Sequence, residues 1–259
     1  MSTLTASRPV GQLLREWRER RRLSQLELSL QADVSARHLS FVETGRSRPT
    51  PEMIVRLTEQ LEVPLRERNQ LLLAGGYAPA YPQRELDAPE LTSIRAALRQ
   101  VLAAHEPFPA VVVNRWWEMM DANAAIAPLV EGCSPALLTA PVNVLRLSLH
   151  PDGMAPRIVN LGQWRGHLLE QLHRRALATD DSRLLALEEE LRSYRDEPGG
   201  APAPSDVVLP LRLRHGDREL SLFSIAASVG TATDVTVEEL AIESFYPADE
   251  ATAQVLRGQ

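Results

Sequence analysis

Lysine is absent from this 259-residue chain, whose 28 basic residues are all arginine. That lack has no functional reading and is put down to genome composition. Cysteine is nearly absent: the lone Cys133 excludes an intrachain disulfide framework and any multi-thiolate metal site. Long hydrophobic runs are missing too, none nearing the roughly 20 residues that span a bilayer. The first residues, Met1 to Ser7, lack the charged start and apolar run of a signal peptide. Together these absences point to the cytoplasm. Catalytic signatures are likewise missing: there is no Gly-x-Ser-x-Gly elbow, no P-loop and no Gly-x-Gly-x-x-Gly phosphate cradle. The histidines are scattered, and the spacing of His167 and His173 suits neither a metal pair nor one helix face. The expectation is a protein that is not an enzyme and holds no metal or cofactor.

What is present is ordinary in bulk and uneven in detail. A hydrophobic share of 44% and a charged share of 24% are those of a globular chain, and the length suits one large domain or two ordinary ones. The net charge of −6 hides a split. Residues 1–76 carry 12 arginines against 9 carboxylates, a net of +3; the remainder carries 16 against 25, a net of −9. The sign changes at Gly75-Gly76-Tyr77-Ala78-Pro79-Ala80-Tyr81-Pro82, where glycine and proline mark a helix end and a linker. This predicts a mildly basic domain over 1–76, a linker over 77–90 and an acidic domain over 91–259.

The first 76 residues read as five helices. Val10, Leu13, Leu14 and Trp17 repeat at helical spacing. Ser24-Gln25-Leu26-Glu27 is a capping box opening a second helix to about Ala32. Ser35 is a good N-cap for a third helix ending near Glu43, with Gly45 as its left-handed stop. Thr50-Pro51 opens a fourth helix carried by Met53, Ile54, Leu57 and Leu61. Pro64 starts a fifth, carried by Leu65, Leu71 and Leu72. Two short helices joined by a tight turn form a helix-turn-helix unit, which Leu28, Ala32, Val34, Leu39 and Val42 would lock.

The run Ser24-Gln25, Val34-Ser35, Leu39-Ser40, Glu43-Thr44-Gly45-Arg46 and Pro49-Thr50 resembles the Xre/phage-repressor class of DNA-binding domains over residues 10–76. The departure is Asp33, where that class usually has glycine; Asp tolerates left-handed geometry, so a slightly strained turn is expected. The resemblance implies that the third helix enters the major groove. Ser35 would cap it, Ala36, Arg37 and Phe41 would face the bases, and His38 would lie beside the backbone. Arg37 can bond bidentately to guanine, and Phe41 can touch a thymine methyl. Gln25 would anchor the second helix to a phosphate, and Arg46 and Arg48 would grip the backbone without specifying sequence. Glu43 is implied to form a partly buried pair with Arg18. The bland alternative is a five-helix module that docks a protein, which the matched spacings outweigh, and Arg20, Arg21 and Arg22 read as a solvated helix end. A dimer on two half-sites is the natural arrangement on operator DNA.

Beyond the linker the periodicity changes. A helix fits Leu91 to Ala104, strands fit Pro109 to Val113 and Trp116 to Met120, and Asp121 or Asn123 caps a short helix. Asn143 to His150 reads as a further extended segment. Helices follow over 161–177 and 182–195, then a loop from Pro198 to Pro204, a hairpin over 209–214 and 219–227, a closing strand over 238–246 and a helix over 248–256. This order is that of an α+β, PAS-like domain with an antiparallel sheet. Val113-Asn114-Arg115-Trp116-Trp117, Asn123-Ala124-Ala125, Asn143 to Pro151 and Phe245-Tyr246-Pro247-Ala248-Asp249 resemble the ligand-binding domain of MmyB-like regulators. The resemblance implies a transcription factor whose pocket holds a lipophilic, fatty-acyl-type ligand, such as a bound fatty acid.

Trp117, Met119, Phe223 and Phe245 are apolar strand positions that either line such a pocket or fill the core; Asn123 belongs to the same set. Arg146 and His150, four apart on an extended segment, share a face and would meet a carboxylate head group. The other reading pairs Arg146 with an internal acid and has His150 cap the turn at Pro151-Asp152-Gly153. Glu188, Glu189 and Glu190 read as an exposed helix flank. Cys133 has no histidine or arginine near it in sequence, so a redox sensor has no support. The function expected is a cytoplasmic, ligand-responsive regulator binding operator DNA as a homodimer, with no membrane involved. The alternative is a regulator whose C-terminal domain only dimerises or contacts a protein such as RNA polymerase.

Overall fold

The computed structural model describes residues 8–179, 181–194 and 207–258. Met1 to Ser7 and the loop read at Pro198 to Pro204 lie outside the described residues. The chain divides into two compact units. One comprises Met1–Arg84 with Thr231–Glu238, and the other Glu85–Gly230 with Glu239–Gln259.

The first unit opens with five helices: α1 (Val10–Arg20), α2 (Gln25–Gln31), α3 (Ala36–Glu43), α4 (Pro51–Gln60) and α5 (Leu65–Ala74). Their starts are set locally. Ser24 and Glu27 form the full capping box on α2, Ser35 Oγ accepts from His38 N on α3, and Thr50 caps α4 ahead of Pro51. Leu14, Leu28, Leu39, Ile54, Leu57 and Leu61 are fully buried between the helices. α1 and α3 touch at Gly11, where a Cβ would lie 2.0 Å from the Val42 carbonyl oxygen. Gly45 takes the left-handed stop after α3 at φ +71°. Asp33, in the turn between α2 and α3, is left-handed at φ +50°, as its place in the motif requires.

In the second unit α6 (Thr92–Ala104) leads to β1 (Ala110–Val113) and β2 (Met119–Ala122). α7 (Ala127–Val130), α8 (Val144–Leu149), α9 (Leu161–Thr179) and α10 (Ser182–Ser193) follow, and then the hairpin β3 (Leu211–His215) and β4 (Arg218–Ser228). After β4 come α11 (Val235–Glu238), β5 (Ala241–Pro247) and α12 (Glu250–Leu256). The sheet order is β2-β1-β5-β4-β3, antiparallel throughout. This is the PAS-like arrangement expected. Its faces follow the period of two. Ala110, Val112 and Ile242 pack with Leu98 and Leu102 of α6, while Leu211, Leu213, Leu220, Leu222 and Phe245 face a larger core with Trp164, Leu168 and Leu172 of α9.

α11 belongs to the first unit. Pro64 provides no side-chain cap for α5, and the Glu238 carboxylate takes that place, accepting from Leu65 N at 2.8 Å. Val235 N donates to the Pro82 carbonyl at 2.9 Å, and Arg84 pairs with the buried Asp234 at 2.8 Å.

Several local expectations are corrected. The segment from Asn143 to His150 is a helix, not a strand, because the Asn143 side chain caps it by accepting from Arg146 N. Leu145, Leu147 and Leu149 alternate like a strand, but α8 is covered on most sides and buries them all. The strand placed from Trp116 begins only at Met119, since Asn114 Oδ1 accepts from both Trp116 N and Glu118 N and turns the chain, leaving Trp117 left-handed at φ +58°. The closing strand starts at Ala241 because its first residues belong to α11 and the turn after it. Glu188 is buried rather than on an exposed flank, held by His173 at 3.0 Å and Arg192 at 2.7 Å.

Candidate DNA-binding face and ligand cavity

The helix-turn-helix is locked by a buried charged cluster. Arg18 Nε and Nη2 donate to the two Glu43 oxygens at 2.7 and 2.9 Å, and Gln25 Nε2 donates to Glu43 Oε2 at 2.8 Å. The Arg18–Glu43 pairing is as expected. Gln25, placed by its sequence position on a phosphate, has its amide directed at Glu43 instead. What remains outward on α3 is sparse. Ser35 is occupied as the cap, Ala36 is half-buried, and His38 and Arg37 are exposed. The half-buried Phe41 ring lies between two guanidiniums, Arg37 at 5.4 Å and Arg46 at 6.0 Å from its centroid. Among the described residues neither arginine has a carboxylate partner, so both cations are free for an anion. Arg48 is committed elsewhere: its Nε and Nη2 donate to the Gly75 carbonyl at 3.0 and 2.6 Å, and it stacks on Tyr77. Its first task is to fasten the end of α5, which corrects its reading as a backbone grip.

The second unit contains a cavity of about 60 Å³ between the sheet and the covering helices, lined among others by Val111, Met119, Leu147, Met154, Trp164 and Phe245. Roughly 10–15 Å³ admits one water in this measure, so the space holds about four to six. Its polar lining is Ser148 and Glu243. Ser148 Oγ accepts from the Trp164 indole at 3.0 Å. Burial pushes the Glu243 carboxyl up from its ordinary 4.5, partly opposed by the charge of Arg175.

Of the ligand-site candidates, Met119 and Phe245 line this cavity. Trp117 is buried beneath the Arg175 guanidinium, 4.0 Å from its ring. Asn123 is a brace, donating to the Leu102 and Phe108 carbonyls and accepting from Ala110 N. Phe223 stacks on Tyr246, on the face of β5 opposite Phe245. Arg146 and His150 are not head-group ligands in this geometry, since their shared-face argument needed a strand. Arg146 binds Glu190 through two bonds of 2.6 and 2.7 Å, which with its hydrogen bonds holds that carboxyl below the usual range. His150 Nδ1 accepts from Asp152 N at 2.9 Å and caps its turn. Cys133 is buried, and burial pushes its thiol up against the opposing charge of Arg157, the reverse of a reactive thiolate.

The family model of the MmyB-like transcription regulator ligand binding domain matches residues 94–258, and a helix-turn-helix model matches 14–68. The chain belongs to the MmyB-like transcription regulators. An uncharacterized HTH-type transcriptional regulator of Bacillus subtilis (strain 168), RghRB, is 35% identical over 83 residues, which is 32% of this chain and 58% of that protein. The chain thus spans little more than half the length of that curated relative. The solved structure of an RNA-binding light-oxygen-voltage receptor aligns over 96% of this chain and 61% of its own at 17% identity with a TM-score of 0.25, a likeness too slight to bear on the argument.

In this MmyB-like regulator, Glu243 is the site residue that sequence reasoning passed over. Its signal was present: it stands two residues before Phe245 on one strand, hence on the same face. Ser148 and Met154 have no such marker: Ser148 lies within, and Met154 just after, a segment whose alternating leucines imitate a strand.

Proposed function

We propose that this MmyB-like regulator binds operator DNA as a homodimer, with α3 in the major groove of each half-site, and that its C-terminal domain senses a small lipophilic, fatty-acyl-type ligand. The observation that carries the DNA half is the outward face of α3 and the turn after it, where Arg37 and Arg46 flank the Phe41 ring behind a capped N-terminus. Arg37 suits bidentate contact to a guanine, Phe41 a thymine methyl, and Arg46 a phosphate. The sensor half rests on an apolar cavity walled by two methionines, which adapt their shape to a guest. Ligand would act by population shift, changing how the C-terminal domains pair and so the spacing of the DNA-binding heads. Chain continuity offers the route: β5 carries Glu243 and Phe245 on the cavity, and the segment before it, α11, caps α5. With no membrane-spanning segment expected and no membrane in the scheme, the site of action is the cytoplasm.

A second reading is favoured by the cavity's size. About 60 Å³ admits no acyl chain until side chains move, which suits a C-terminal domain that only dimerises or contacts RNA polymerase. Organic extraction and mass spectrometry of the purified protein separate the two. Bound lipid, or a rise in melting temperature with added acyl compounds, supports the sensor; neither supports the second reading.

A further inference from the structure

We propose that the free half of β4, Ser224 to Ser228, is the dimer contact of the C-terminal domain, pairing antiparallel with the same strand of a second copy across a two-fold axis. The inference rests on the homodimer reading above and gives its geometry.

Unequal strand lengths create the opening. β4 runs over Arg218–Ser228, but its outer neighbour β3 pairs with it only from Arg218 to Leu222. The two-residue turn Gly216-Asp217 makes His215 and Arg218 the closing pair, and in such a hairpin that pair exchanges both backbone bonds. By the period of two, Arg218, Leu220 and Leu222 turn their N–H and C=O groups toward β3. Ser224, Ala226 and Ser228 then turn theirs to the same side, where β3 has ended. Ser221 fits this parity from the other side: its carbonyl accepts from Ala248 N, directly after β5. Among the described residues no backbone group bonds to Ser224, Ala226 or Ser228 on the open side, and Ser224 to Ser228 are all exposed.

The other edges of the sheet are guarded. β3 is flanked by Val159, whose N–H donates to the Arg212 carbonyl, and by Asn160, whose side chain accepts from Arg212 N. β2 is flanked by Val142, which accepts from Met119 N at 2.7 Å, and carries the Asp121–Arg99 ion pair. A bare edge is a template for another strand, and proteins blunt unused edges with charge, proline or cover. Ser224 to Ser228 has none of the three among the described residues.

Charge and symmetry decide what adds there. Residues 77–259 carry a net charge of −9, so two copies approach best along an uncharged strip, and Leu220 to Thr233 holds no ionisable residue. With Ala226 facing its own copy, Ser224 faces Ser228 and Ile225 faces Ala227. The strip thus complements itself, as an isologous contact requires, and opposes no like charges. Pairing consumes both bare edges, so growth stops at two. Ser228 lies just before Thr231, where the chain enters the DNA-binding unit, which links the contact to the heads along the chain. The strip is short, so the free dimer dissociates on the order of micromolar, and two heads on one duplex add avidity.

Sedimentation equilibrium of the full chain from about 1 to 100 µM tests this on the wild type, Ala226→Pro and Ile225→Glu. Ala226→Pro removes an N–H that points away from β5, so the sheet itself loses no bond. Ile225→Glu sets the two copies' carboxylates about 7–8 Å apart on one face, within about one Debye length. The expected result is a wild-type monomer–dimer equilibrium whose dissociation constant rises at least about tenfold in each variant, with far-ultraviolet dichroism unchanged. A dimer that persists undiminished in either folded variant overturns the β4 contact and leaves the homodimer standing. A wild type that stays monomeric throughout overturns the homodimer reading and this inference with it. If the proline variant does not fold, Ile225→Glu decides.

Discussion

Replacing Glu43 with alanine should cost the DNA-binding head more than any substitution on its outer face. The change strips two charge-assisted bonds of 2.7 and 2.9 Å from Arg18 and a third of 2.8 Å from Gln25. The Arg18 and Glu43 side chains are only 10% and 1% exposed, so water does not replace what is lost. Arg18 keeps one hydrogen bond, to the Leu23 carbonyl at 2.8 Å, and an ion pair with the exposed Glu19 at 3.7 Å. Breaking a buried pair costs about 3–5 kcal/mol when one charge is left uncompensated, and the exposed Glu19 contact offsets at most about 1 kcal/mol of that, against a total of about 5–15 kcal/mol for a typical domain. Hydrogen exchange followed by mass spectrometry reads this peptide by peptide. The slowest amides of α1, α3 and α4 should exchange about 10²–10⁴ times faster, at 1.36 kcal/mol per decade. Replacing both partners with apolar residues, Arg18→Met with Glu43→Leu, should recover most of the loss. A loss below about 1 kcal/mol in the single variant, the worth of an exposed ion pair, would refute the reasoning.

Further outcomes follow from single positions. Gly11→Ala places a methyl 2.0 Å from a backbone oxygen of α3 and should destabilise the head by about 1–3 kcal/mol or more, seen as a lower urea midpoint. Asp33→Gly relieves a left-handed residue and should stabilise by up to about 1 kcal/mol, the gain being trimmed by the freer unfolded chain; a lower midpoint would show that the Asp33 side chain has a structural task. The folded-state pKa of Glu243 is raised above 4.5, so its burial is tolerated fully below the unfolded value, and stability is lost as pH climbs from there through the folded value. The Glu243→Gln variant lacks this titration, so its urea midpoint should gain on the wild type between pH 4.5 and neutrality, and a pH-independent difference would contradict the assignment.

How far the fold could be read from sequence depended on the range of the signals. In the head they are local: the Ser24–Glu27 box, the Ser35 cap, Thr50-Pro51 and Gly45 each act within a few residues and each is where expected. The Arg18–Glu43 pair was reached through resemblance, not spacing. Arg48 went astray because its partner, the Gly75 carbonyl, is far along the chain, and nothing near Arg48 announces it. In the C-terminal unit the alternation of Leu145, Leu147 and Leu149 outweighed the Asn143 cap, since a short helix buried on most sides shows no polar stripe. That single error carried Arg146 and His150 into a pocket they do not reach. Glu243 was passed over for the opposite reason. Its position was legible by the period of two, but its charge argued against an inward face.

The central claim is that α3 reads DNA through Arg37, and selection of bound duplexes from a random pool tests it most directly. The wild type should enrich a sequence with two related half-sites, and Arg37→Ala, its helices as protected from exchange as before, should lose preference at one base of each, a cost of about 1–3 kcal/mol. No enriched sequence from the wild type, or the same sequence with the same preference from the variant, would contradict it.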